Sequence, residues 1–189
     1  GLAYLAVAGG WNAQSTLGSH SYYGRAELGQ GLRSGQTYGV NVKAQLPDSL
    51  LTQTKIAERC APPFEFDSAA LRCVAGPQED YFDAESIDSF YSQEWKLSTQ
   101  LDRMGYRLEG TPLLHNALGA EIASDGVCVG AVQVPPNGIP IVLMADGQTI
   151  GGYPKIASVI TADIGRLANM RANTSLASVA SVRFAKVSL

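Results

Sequence analysis

Between Ser124 and Lys155 the sequence gathers Asp125, Gln133, Asp146, Gln148 and Lys155 among short apolar runs and glycines. A carboxylate accepts hydrogen bonds, an ammonium donates them, and a carboxamide does both. An amide or lactam substrate needs a donor for its carbonyl and an acceptor for its N–H, and this set supplies both. Gln133 stands between Val132 and Val134. With both valines turned to a core, strand alternation turns Gln133 to the opposite face. The structural alternative is a hairpin with a polar loop, and Ser124-Asp-Gly126 also reads as an ordinary turn.

A second cluster is Asp102-Arg-Met-Gly-Tyr-Arg-Leu-Glu-Gly110, in which Arg103 and Arg107 flank Gly105-Tyr106. The guanidinium fork matches a carboxylate or phosphate, and a glycine lets a ligand approach the backbone. Its plain alternative is a strand edge with solvated arginines. A third, Leu17-Gly-Ser-His-Ser21, reads more readily as a loop, and His20 has no partner at ligand spacing. Standard motifs fail. There is no G-x-S-x-G elbow. Gly147 and Gly152 have P-loop spacing, but Tyr153-Pro154 stands where Lys-Ser/Thr is required. Gly29-Gln-Gly31 opens no credible dinucleotide-binding unit.

These residues need a scaffold, and the composition supplies one. The chain has 189 residues, 46% apolar and 16% charged, enough to bury a core. Its net charge is −3, and no run of Lys or Arg exceeds one residue, so a nucleic-acid face is not expected. The longest apolar run, Ile139 to Ala145, is too short for a membrane helix. Three cysteines, Cys60, Cys73 and Cys128, form no C-x-x-C pair, which suggests a reducing, cytoplasmic compartment and no metal site.

Twenty glycines and nine prolines separate short β-rich runs. Strands are expected at Leu2–Ala8, Gln36–Val42, Leu71–Ala75, Lys96–Gln100, Gly130–Val134, Pro140–Met144 and Ser181–Val187. Asn137-Gly138 between two apolar runs predicts a hairpin turn. Asp83 can cap a helix running to about Tyr91, and Ala162–Met170 shows helical spacing. The segment 48–59 is ambiguous, and 44–66 reads as a loop-rich insertion. The sum is a mainly β lobe with a few short helices, a closed or half-closed barrel.

LAYLAVAGG, LGSHS, the GP-x-x-D-x-F run from Gly76 to Phe82, DRMGYRLEG, SDG, GAVQVPPNGIPIVLMADGQTIGGYPKIA and VRFAKVSL occur in this order. Together they resemble the biotin-dependent carboxyltransferase family, also called allophanate hydrolase subunit 2. It includes the C subunit of 5-oxoprolinase, the antagonist of a histidine-kinase inhibitor and the carboxyltransferase domain of urea amidolyase. The resemblance spans all but about 44–66, and implies a cyclophilin-like β-barrel. Residues 1–189 then correspond to the C-terminal lobe of a longer protein, with an N-terminal half outside this sequence. Two positions depart from the family: His20 stands where many members have Arg, and Tyr22 where many have Thr.

The loop Asp146-Gly-Gln-Thr-Ile-Gly-Gly-Tyr-Pro-Lys155 is closer to the 5-oxoprolinase branch than to the urea branch. The resemblance implies a subunit acting in ATP-dependent opening of 5-oxoproline to glutamate, or in carboxyl transfer from carboxybiotin to an amide. It also implies a smaller partner, allophanate hydrolase subunit 1-like. Arg103 and Arg107 would hold a carboxylate, with Tyr106 and Tyr153 beside the substrate. Gln133, Gln148 and Asp146 would read the amide edge. Lys155 would stabilise charge on a carbonyl oxygen, and Asp125 would serve as a second acid/base group. No Met-Lys-Met tripeptide occurs, so biotin would arrive on another chain, and ATP on a partner. A regulatory binding protein that antagonises a histidine-kinase inhibitor is the alternative.

Overall fold

The computed structural model describes residues 5–7, 9–24, 26–41, 70–170 and 181–187. The chain divides into two compact units, Ala3–Pro63 on the one hand and Phe64–Leu189 with Gly1–Leu2 on the other. The described part of the first is built from turns and the isolated bridges Trp11–Val40, Thr16–Ser19 and Tyr23–Leu28. Of the first expected strand only residues 5–7 are described, and they belong to no strand; of the expected strand at 36–42, residues 36–41 are described and contribute only the bridge from Val40 to Trp11. The segments 48–59 and 44–66, and Cys60, lie outside the described residues.

The second unit is mainly β, as its sequence predicts. Its strands are β1 Leu71–Ala75, β2 Trp95–Leu101, β3 Gly105–Glu109, β4 Asp125–Gly126, β5 Ala131–Gln133, β6 Ile141–Leu143, β7 Ile150–Gly151, β8 Lys155–Val159, β9 Ser181–Val182 and β10 Phe184–Lys186. Eight of them form one sheet in the order β10-β1-β8-β5-β6-β3-β2-β9, and β4 pairs with β7 separately. The two outermost strands of that sheet, β9 and β10, are separated in the chain by Arg183 alone. One bent segment therefore pairs with β2 on one side and, in parallel, with β1 on the other, which closes the sheet into a barrel. The Leu71 amide seals the joint by donating to the Arg183 carbonyl at 2.7 Å.

Alternation fills the interior. Leu71 and Cys73 of β1, Trp95 and Leu97 of β2, and Tyr106 and Leu108 of β3 are buried, while Arg72, Lys96 and Arg107 between them are exposed. β3 lies between β2 and β6, so the arginine-bearing segment is an interior strand and not a sheet edge. The expected hairpin is β5–β6: the Gly138 amide donates to the Pro135 carbonyl at 2.9 Å, and the Asn137 side chain accepts from the Ile139 amide at 3.1 Å. Gly138 has φ +73, and an added Cβ would stand 2.4 Å from the Leu113 carbonyl oxygen, so glycine is required twice over.

Among the described residues, two α-helices cover the barrel, α1 Ala84–Ser92 and α2 Thr161–Asn169. Asp83 caps α1 as expected, accepting from the Ser86 amide at 2.7 Å. Phe90 of α1 stacks on Phe184 with ring centroids 4.6 Å apart and meets Trp95 at 6.2 Å. α2 is tied to β1 through Asp163, only 1% exposed, whose carboxylate accepts from the Arg72 amide at 2.8 Å and from its guanidinium at 2.8 and 3.1 Å. Those side-chain hydrogen bonds hold the Asp163 carboxyl below the usual carboxylate range, against the opposing effect of burial. A depressed carboxyl contributes stability that is present above its ordinary value of about 4 and is lost as pH falls through the depressed one. Asp163→Asn should therefore destabilise the protein at pH 7, and the gap to wild type in urea unfolding should narrow below about pH 4. A gap independent of pH would rule this out.

Candidate active site

The site is assembled on β5 and β8, which are buried on both faces. Val132 lies opposite Ala157, yet Gln133 lies opposite Lys155. One step on β5 spans two on β8, so Ile156 is the extra residue of a β-bulge. An unbulged ladder would set Gln133 against Ile156. The bulge sends Ile156 into the core and brings Lys155 beside Gln133.

Backbone contacts from the strand end after β1 clamp the bulge. The Gly76 amide donates to the Ile156 carbonyl at 2.9 Å, and the Gln78 amide donates to the Lys155 carbonyl at 3.3 Å. Gln78 Oε1 in turn accepts from the Lys155 amide at 3.3 Å. A Cβ at Gly76 would stand 2.0 Å from the Lys155 carbonyl oxygen, so no other residue fits there.

The β4–β7 pair stands beside this ladder, with Asp125 opposite Gly151. Lys155 Nζ donates to Asp125 Oδ2 at 2.9 Å; the lysine side chain is 5% exposed and the aspartate 53%. Hydrogen bonding by Lys155, then by the Gly126 amide, holds the Asp125 carboxyl below its ordinary value. A buried ammonium would be costly without such a counter-charge. Gln78 Nε2 reaches the same Asp125 oxygen at 3.5 Å. Next to the ion pair, Gln133 is 2% exposed, and its Oε1 accepts from Gln148 Nε2 at 3.0 Å. Gln133 Nε2 is enclosed, with no acceptor in reach among the described residues. The arrangement offers a buried cation, a carboxylate and a carboxamide on one side of a ladder. It suits stabilising negative charge on a carbonyl oxygen.

The model of the family described as "Carboxyltransferase domain, subdomain A and B" matches residues 1–180. The chain belongs to this family. It is 38% identical over 178 residues to the C subunit of 5-oxoprolinase from Escherichia coli (strain K12), covering 89% of this chain and 52% of that protein. It is 28% identical over 186 residues to the putative urea carboxylase of Emericella nidulans, covering 92% of this chain and 15% of that one. Among solved structures, that of TTHA0988 superposes with a TM-score of 0.70 at 30% identity, over 96% of this chain and 32% of that one. The chain thus spans about half the length of the curated 5-oxoprolinase relatives it matches.

Within this carboxyltransferase domain, four of the residues singled out from sequence converge: Lys155, Asp125, Gln133 and Gln148. Others lie elsewhere. Arg103 and Asp146 form a bidentate pair with each other, Nε to Oδ2 at 2.8 Å and Nη2 to Oδ1 at 2.9 Å, with the arginine 66% exposed. Arg107 is exposed on β3. Tyr106 is a barrel-core residue, and its hydroxyl faces the Ala168 carbonyl of α2 at 3.4 Å. Tyr153 is partly exposed in the β7–β8 connection. His20 contacts the Ala13 carbonyl at 2.9 Å within the first unit. That unit also holds a cleft of about 490 Å³ lined by Gln14, Tyr22, Glu27 and Arg33 among others, and none of the residues around Lys155 belongs to it. Sequence reasoning missed Gln78 as a site residue, although it lies in the GP-x-x-D-x-F run that carries the resemblance. Among the described residues no His, Cys, Asp and Glu side chains converge in a metal-binding group.

The two ion pairs should respond differently to deletion. Asp125→Asn leaves a buried ammonium without its counter-charge and should lower Tm measurably. Arg103→Ala removes an exposed pair worth less than about 1 kcal/mol and should leave Tm nearly unchanged. Equal effects in calorimetry would overturn the ranking.

Proposed function

We propose that this chain is the carboxyltransferase-domain part of an enzyme subunit that acts, with a smaller allophanate hydrolase subunit 1-like partner, on an amide or lactam. Its favoured substrate is 5-oxoproline. The observation that carries the reading is the buried Lys155 ammonium, held by Asp125 beside the Gln133 carboxamide. Similarity to the C subunit of 5-oxoprolinase, higher than that to urea carboxylase, supports the choice of substrate.

Opening the ring of 5-oxoproline adds water across the lactam C–N bond and releases glutamate. Negative charge grows on the carbonyl oxygen as the nucleophile adds. A fixed ammonium stabilises that charge more than it stabilises the neutral carbonyl, which is the condition for a rate effect. Asp125 aims the Lys155 ammonium and is the candidate acid/base group at this centre. For a substrate carboxylate the candidate is Arg107, in register through Ile141 with Gln133 across the sheet, whereas Arg103 would first have to exchange Asp146 for it. ATP would be handled by the partner, and the complex would work in the cytoplasm, where Cys73 and Cys128 stay thiols.

The family's description and the urea-carboxylase relative favour a second reaction at the same centre: carboxyl transfer to an amide nitrogen, with biotin brought in on another chain. An assay of the full-length protein with its partner and ATP, on 5-oxoproline and on urea, separates the two. Lys155→Met, close in length and apolar, should lower kcat for the preferred substrate by about 10²–10³ with Tm retained. Unchanged turnover in this variant would remove Lys155 from the reaction.

A further inference from the structure

We propose that the Gln133 carboxamide is a two-point receptor for the cis edge of an amide, and that the Gln148 side chain is a displaceable stand-in for that ligand. The inference rests on the amide-acting reading above and narrows its substrate class. Gln133 is 2% exposed, so water cannot serve its polar atoms freely. Its Oε1 accepts from Gln148 Nε2, while its own Nε2 has no acceptor among the described residues. A buried donor left unpaired is costly, and such groups in native proteins call for a specific explanation. Half of the carboxamide edge is thus engaged, and the other half waits.

Gln148, by contrast, is exposed and sits in the connection between β6 and β7. Its side chain can swing out without unfolding a strand. The backbone facing the unpaired nitrogen is Gly151, where an added Cβ would stand 2.5 Å from Nε2. Any side chain there would push the carboxamide aside. Glycine keeps the donor where it is and the neighbouring backbone adaptable.

The chemistry of the edge selects its ligand. A carboxamide presents an acceptor and a donor side by side. The complement is a group with N–H and C=O on one edge, which lactams and ureas possess. A trans secondary amide points the two in opposite directions. An ester or an ionised carboxylate has no donor. With a lactam in place, its N–H would replace Gln148 on Oε1 and its carbonyl oxygen would accept from Nε2. Lys155 lies opposite Gln133 on β8, and its counter-charge Asp125 lies opposite the Gly151 that faces Nε2.

The test uses the full-length protein with its partner subunit and titrates three probes by calorimetry: 5-oxoproline, N-methyl-5-oxoproline, which lacks the donor, and proline, which lacks the carbonyl. Wild type should prefer 5-oxoproline by at least about tenfold over both. Gln133→Leu and Gly151→Ala should each erase most of that preference. Gln148→Ala, which removes the competitor, should bind 5-oxoproline more tightly. A wild type without preference, or a preference that survives in both Gln133→Leu and Gly151→Ala, overturns the receptor. Turnover is measured in parallel. Lactam turnover without the preference defeats the receptor and spares the functional reading; the preference without any lactam turnover does the reverse.

Discussion

A sheet in water leaves a row of unpaired backbone groups along each outer strand. In this protein both rows are served by one stretch of chain. Ser181–Val182 pairs with β2, Arg183 makes the bend, and Phe184–Lys186 pairs with β1. The barrel exists because that segment is long enough to reach both edges and bends at one residue. Much of the core follows from it. Phe184 enters on the second half of the bend, stacks on Phe90, and so fixes α1 over the Trp95 side of the barrel.

Closure also determines where irregularity can be tolerated. β5 and β8 sit away from the bend in the strand order, flanked on both sides by paired strands. A bulge there changes the direction of single side chains without opening an edge. The Ile156 bulge does so: it turns a register in which Gln133 would meet an isoleucine into one in which it meets a lysine. Gly76 and Gln78, at the end of β1, hold the bulge by its backbone. Site and barrel are therefore one construction, because the strand that pairs with the closing segment also ends in the clamp.

Charge is arranged with similar economy. The buried cation Lys155 has its counter-charge on β4, outside the eight-stranded sheet. Asp163 is matched by Arg72 across the α2–β1 contact. Arg103 and Asp146 join two connections at the surface. Each pair links segments distant in the chain, and the one whose cation is most deeply buried is the one beside an unpaired donor. A buried polar group left unpaired in a native fold calls for a specific explanation.

Local patterns determined a good deal without the fold. Alternation placed β1 at Leu71–Ala75, the Asp83 cap set the start of α1, and Asn137-Gly138 marked the β5–β6 turn, because these depend on neighbours a few residues apart. The family resemblance, spread over several motifs, was legible as well. Strand β8 was not, and β3 only as the plain alternative for the arginine cluster, since their residues read as ligand chemistry and their strand character comes from partners far along the chain. The sequence alone could gather Asp125, Gln133, Gln148 and Lys155 as candidates, but not separate them from Arg103, Asp146 and Tyr106. Only the tertiary structure did that. A one-residue bulge, set by pairing between strands, turned Lys155 toward Gln133, while the same fold spent Asp146 on Arg103 and buried Tyr106 in the core.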